Sequence, residues 1–197
     1  MNKEEQLHSR LKELVVQQSA SPEFKHHKWF VQWHLEIVQA IALELCDKYP
    51  SADRIQVLNL VWLHDYEKIV DFDNQYNTEL VASSNVMAEA GFKEASIAKM
   101  LSDINIYNAK ANLHAASIEI QIVSSSDAAS HMIGPFLSLY WYENPEKSIT
   151  ELQADNLKKF SGDWDKKMTL PEVKAAFAGR YKFIQEQIGN IPTSYLG

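Results

Sequence analysis

Apolar residues recur at the three-to-four-residue spacing of an amphipathic helix in one segment after another along this chain. Leu7, Leu11, Leu14 and Val15 share one face of a segment from about Lys3 to Gln18. Phe30, Trp33, His34, Ile37, Ile41 and Leu45 do the same over about 23–48, a stretch entered through Ser21-Pro22 and left at Tyr49-Pro50, with Ser51 as the next cap. Further helical patterns cover about 52–68, 78–90 (closed by Gly91) and 93–104. The segment 114–133 alternates like a strand at Ile118-Glu119-Ile120-Gln121-Ile122, but its helical surroundings favour a helix. Two more helices, 148–160 and 171–189, flank a short loop at 161–165, and Thr169 and Glu172 are spaced for a capping box. Six glycines and six prolines are too few for the turns of a β-sandwich or barrel of 197 residues. The chain reads as all-α and as a single domain over 1–197, with a bundle core at about 24–189 preceded by the amphipathic helix 3–18.

Charge narrows the partners. The net charge of −7 argues against binding a nucleic-acid duplex, which needs a basic surface to displace counterions. The one short basic cluster, Lys25-His26-His27-Lys28, reads as a solvated helix face. A small phosphorylated substrate stays compatible, because a pocket can be locally positive inside an acidic protein. The lone Cys46 excludes an intrachain disulfide and reads as a small core residue. The N-terminus has no apolar signal core and no apolar run reaches membrane length, so the expectation is a cytoplasmic protein without membrane contact. The first helix can dock on its own chain or on a second copy, which leaves a homodimer open.

The chemistry concentrates in a few residues. His64 and Asp65 end the apolar stretch Leu60-Val61-Trp62-Leu63, and on a continuous helix they project roughly 100° apart. An imidazole and a carboxylate so placed approach one cation from neighbouring directions. His34 lies in an otherwise apolar helix. Asp127 sits among Ser124, Ser125, Ser126, Ala128 and Ala129, where small neighbours permit close helix approach and a crowded carboxylate needs a partner. His131 follows by four residues, on the same helix face, placed to orient Asp127 or touch a substrate. His8, His26 and His27 read as surface residues and His114 as structural, near a helix start. Phe136, Tyr140, Trp141 and Tyr142 read as core or interface.

In order and context these residues resemble the HD-domain metal-dependent phosphohydrolase family. Its pattern is a histidine on an early helix, a His-Asp pair at the end of a later one and a distant aspartate. Here these match His34 in His34-Leu35-Glu36-Ile37, the pair in Leu63-His64-Asp65-Tyr66-Glu67-Lys68, and Asp127 in Ser124-Ser125-Ser126-Asp127-Ala128. Asn156 to Phe160, Met168 to Val173 and Gly179 to Phe183 extend the likeness over roughly 24–189. The resemblance implies an HD-type bundle with His34, His64, Asp65 and Asp127 as ligands of one divalent ion (Mn, Fe, Co, Ni, Zn or Mg). It implies hydrolysis of a nucleotide or other small phosphoester by a metal-activated water, with Asp65 as proton acceptor and Lys68 on the phosphate. His131 and Arg180 are further candidates for substrate contact. Some relatives carry extra histidines, near the places of Tyr76 or Asn77 and of Tyr107, and hold two metals; this chain lacks them, so one ion is expected. The alternative is a catalytically silent HD-like module that binds a phosphorylated ligand or a protein partner.

Overall fold

A computed structural model describes residues 2–75, 77–190 and 193–194. All regular structure among the described residues is helical, including the alternating stretch at 118–122. Helix α1 (Lys3–Ser19) starts with a capping box in which the Asn2 side chain accepts from the Glu5 amide and Glu5 returns the bond. Its buried face of Leu11, Leu14 and Val15 packs on α3 (Arg54–Leu63) and α5 (Val81–Ala90) of the same chain.

The helix expected from Glu23 begins only at Phe30, because 22–29 form a chain of turns. Aromatic packing overrides helical preference there: Phe24, Trp29 and Phe30 are all buried, and the Trp29 indole donates to Glu143. A π-helical turn, Val31–Leu35, then leads into α2 (Glu36–Lys48). The next cap is Asp53, not Ser51, since its carboxylate accepts from the Gln56 amide at 3.0 Å. The expected helix over 52–68 is two helices, α3 and α4 (Tyr66–Val70), broken at His64-Asp65.

Helix α5 ends at Gly91, whose φ of 95° is the left-handed conformation that suits glycine at a helix end. Helix α6 (Glu94–Ala109) runs past the expected end at Ile104 and is capped by Lys110. After a short 3-10 turn comes α7 (Ile118–Ser130), capped by Ser117, with Ile122 to Ser130 all buried. It is the central element, packed against α2, α3 and α6. The aromatic cluster forms a helix of its own, α8 (Phe136–Glu143).

Helix α9 (Ile149–Gly162) opens with a Ser148–Glu151 capping box. Where a loop is expected at 161–165, winding continues into a second π-helical turn, Asp163–Lys167. Helix α10 (Pro171–Gln187) lacks the expected Thr169–Glu172 box. Thr169 is instead buried against α7, where Ser125 Oγ accepts from the Thr169 and Leu170 amides at 3.0 and 3.1 Å. Ser124 Oγ donates to the Lys167 carbonyl at 2.8 Å, so the serines before Asp127 tie the second π-turn to the central helix. Among the described residues, no helix is long and apolar enough to cross a membrane.

Gly134 closes the turn after α7 over the Trp33 ring, beside His34 in the chain. Its φ is 65°, and a Cβ there would lie 2.7 Å from the ring. Gly134→Ala therefore lowers stability by about 2 kcal/mol, combining left-handed strain with a clash, read as a drop in urea midpoint at unchanged slope.

Candidate metal centre

Three elements bring His34, His64, Asp65 and Asp127 together. His34 comes from the first π-turn, a local overwinding often found at functional sites. The break between α3 and α4 supplies the next two. Asp65 leaves helical geometry (φ −117°, ψ 14°), so its carboxylate Oδ2 comes within 3.8 Å of His64 Nε2. Asp127 projects from mid-α7. His34 Nε2 lies 3.3 Å from His64 Nε2, 3.6 Å from Asp65 Oδ2 and 3.5 Å from Asp127 Oδ1; His64 Nε2 lies 3.6 Å from the same Asp127 oxygen. Donors bound at about 2.1 Å to one ion stand about 3.0–3.4 Å apart, so a slight contraction seats an ion here.

Hydrogen bonding fixes which way the lone pairs point. The Val61 carbonyl can only accept, so His64 Nδ1 (2.8 Å away) carries the proton and Nε2 does not. Ser130 Oγ spends its proton on the Asp127 carbonyl at 2.7 Å, so it accepts from His34 Nδ1–H at 3.0 Å. His34 Nε2 is then also unprotonated. Two imidazole lone pairs thus face each other at 3.3 Å with carboxylate oxygens beside them. Without a cation this array is repulsive, and with one it is a ligand set whose outer partners fix each ring.

His131 joins them. Its Nε2 lies 3.4 Å from Asp127 Oδ1 and its ring stacks on His34, centroids 5.1 Å apart. Its Nδ1 donates to Asp163 Oδ2 at 2.9 Å, and Lys159 Nζ contacts the same oxygen at 3.1 Å. His34, Asp127 and His131 form one buried group able to hold a metal, and His34, His64 and Asp65 another. Asp127 divides its oxygens: Oδ1 faces the imidazoles, while Oδ2 accepts from Tyr107 Oη at 2.6 Å and contacts the Lys167 ammonium.

Burial dominates the titration of this cluster. It pulls His34 well below its usual 6.5 against the opposing attraction of the Asp65 carboxylate, lowers His64, and, aided by Lys159, brings His131 to about 4. All three are neutral at pH 7, the form that binds metals. Burial pushes Asp65 upward, but foremost the Lys68 ammonium beside it holds its carboxyl well below the usual range. Burial, then Lys110, draws the Lys167 ammonium down to about 7 against the pull of Asp65.

Other expected residues fall in and out of the site. Lys68 Nζ is 3.2 Å from Asp65 Oδ2 and half-buried over Phe30. Arg180 is exposed on α10, its guanidinium 5.9 Å from the Phe177 ring, and is not among the described residues lining the cavities; the turn of α10 aims it elsewhere. His26 and His8 are not free surface residues. His26 packs against Glu143 at 2.7 Å in the cleft wall, and His8 is half-buried 2.9 Å from Asn59. His27 is half-buried and bonded to the Phe24 carbonyl, and His114 is exposed. Tyr76 lies outside the described residues. Tyr107, near the place of an accessory histidine in the resembled family, donates to Asp127 instead.

Above the ligands lies a cavity of about 240 Å³ lined by His64, Asp65, Lys68, Tyr107, Asp127 and His131 among others. It shares Lys68, Lys110, Phe136, Lys159 and Lys167 with a larger cleft of about 650 Å³. The cavity and the cleft therefore adjoin each other along these side chains. No protein-family model, curated protein or solved structure matches the chain.

Proposed function

We propose that the protein is an HD-type, metal-dependent phosphohydrolase acting on a nucleotide or another small phosphoester. The observation that carries this reading is the convergence of His34 Nε2 and His64 Nε2, 3.3 Å apart, with carboxylate oxygens of Asp65 and Asp127, in a cluster of which His64, Asp65 and Asp127 line a cavity. Its donor set of nitrogen and oxygen suits Mn, Fe, Co, Ni, Zn or Mg. A bound divalent ion supplies Lewis-acid chemistry, acidifying water and neutralising charge on a phosphoryl oxygen.

The chain's own residues do the rest. His34, His64, Asp65 and Asp127 hold the ion, and His131, fixed by Asp163, offers a fifth donor. Asp65, kept ionised beside Lys68, takes the proton of the attacking water. Lys68 binds the phosphate as a cation from the cavity wall.

Stripping the protein with a chelator, then adding back Mn, Co, Ni or Mg, tests the reading on a panel of phosphomonoesters and nucleotides. Turnover returns only with an ion. Asp65→Ala loses metal and turnover together while keeping its fold, and full metal-dependent turnover in that variant overturns the assignment. A silent module for a phosphorylated ligand is favoured by one observation, the Lys167 ammonium already seated on Asp127. Metal uptake without turnover on any substrate decides for it.

A further inference from the structure

The charge of the larger cleft is the reverse of the charge of the chain. Four lysines, Lys68, Lys110, Lys159 and Lys167, border both this cleft and the cavity over the metal centre. Four more, Lys25, Lys147, Lys158 and Lys166, line the cleft alone. Eight of the nineteen basic residues thus face one space, against three carboxylates, Glu143, Asp155 and Asp163. The cleft taken alone carries a formal excess of five positive charges in a chain of net −7; the cavity adds Asp65, Glu67 and Asp127, so the two spaces together hold eight lysines against six carboxylates.

The carboxylates are already engaged. Glu143 takes the Trp29 indole and His26, Asp155 pairs with Lys147 at 2.7 Å, and Asp163 holds His131 and Lys159. Lys25, Lys110, Lys158 and Lys166 have no carboxylate in ion-pair contact among the described residues. Gathering such charges without a counterion costs self-repulsion, and a concave site focuses their field.

Lys110 adds a second sign. It ends α6 in the left-handed conformation, φ 53°, where glycine is the unstrained choice. Leu80 and Asn112 share this conformation, and of the three only Lys110 lines the cleft.

We propose that this cleft binds a small ligand carrying two or more adjoining phosphate groups, with one end reaching the metal centre. The lysines shared by both cavities hold the reacting group, and the outer four hold the rest of the charge. A single phosphate would leave the outer lysines unused. A long nucleic acid is disfavoured, since beyond the cleft it meets the acidic remainder of the surface. This assignment rests on the phosphohydrolase reading only for which end reacts.

Calorimetric titration of the full, chelator-treated chain with orthophosphate, pyrophosphate and tripolyphosphate tests it. Tripolyphosphate binds about 100-fold more tightly than orthophosphate, and added salt weakens it. Lys110→Gly weakens tripolyphosphate about tenfold with no loss of melting temperature, and Lys158→Gln with Lys166→Gln weakens it about as much again. Equal affinity for the three anions, wild-type affinity in both variants, or tighter binding of a single-stranded oligonucleotide than of tripolyphosphate overturns the proposal. A metal titration run in parallel separates the two claims. Metal binding without phosphate discrimination sinks this one alone, and phosphate discrimination without metal binding sinks the proposed function alone.

Discussion

Replacing Asp127 by alanine removes metal binding and, in the metal-free protein, costs roughly 3–5 kcal/mol of stability. The second effect comes from what surrounds the carboxylate. Asp127 is 2% exposed, and its Oδ2 accepts from Tyr107 and contacts the Lys167 ammonium, which is itself buried. Alanine leaves the Tyr107 hydroxyl and the Lys167 amine without their acceptor in a low-dielectric interior, where Lys167, already drawn down to about 7, sheds its proton. The double variant Asp127→Ala with Lys167→Met removes both charges and regains roughly 2 kcal/mol or more, though it still binds no metal. Asp65→Ala behaves differently. Its side chain is 27% exposed and Lys68 can turn to solvent, so stability falls by about 1 kcal/mol while metal is lost. Urea denaturation with and without a chelator reads all three variants. A single Asp127→Ala variant as stable as the parent would show that Lys167 does not depend on Asp127.

Metal-free protein also loses stability steeply as pH falls from 6.5. His8, His26, His34, His64 and His131 are all held below 6.5 in the fold, burial being the largest cause in each; His26 lies at about 3 and His131 at about 4. Below 6.5 the unfolded chain takes up protons that the folded chain refuses, so the contribution of these histidines is full above that pH and declines beneath it. Each such histidine contributes a slope of up to about 1.4 kcal/mol per pH unit. His131 alone, from 6.5 down to about 4, accounts for roughly 3 kcal/mol. Asp65 and Asp163, with lowered values, act in the same direction at still lower pH, while the raised Glu143 opposes weakly. Against a typical net stability of about 5–15 kcal/mol, a loss of this size is a large fraction, so the melting temperature of the apo-protein falls steadily as the pH is lowered. Melting temperature followed from pH 7 downward measures this. A flat profile to about pH 5 would mean that the histidines are not buried as neutral rings.

The residues legible in the sequence were those whose type is unusual for their surroundings. A histidine in an apolar helix, a His-Asp pair after Leu60–Leu63 and an aspartate among serines and alanines stand out, and the fold brings all four together. Their supports were not legible. Lys167 sits in Asp163-Trp164-Asp165-Lys166-Lys167, a charged stretch that reads as a solvated loop until a π-turn winds it against α7. Tyr107 and Asp163 become functional neighbours only through long-range packing, for which a helical periodicity carries no signal. The π-turns themselves escape a 3.6-residue pattern, as does the break at Asp65 that turns two fanned side chains toward one point. Ser124 and Ser125, which read in the sequence only as small neighbours of Asp127, are the struts that hold Lys167 and Thr169 in place.

Anomalous diffraction from crystals grown with manganese or zinc decides the central matter most directly. The account predicts one strong peak between α3, α7 and the first π-turn, about 2.0–2.3 Å from His34 Nε2, His64 Nε2 and oxygens of Asp65 and Asp127. A folded crystal with no peak there, or with the ion held only by surface residues such as His114, would contradict it.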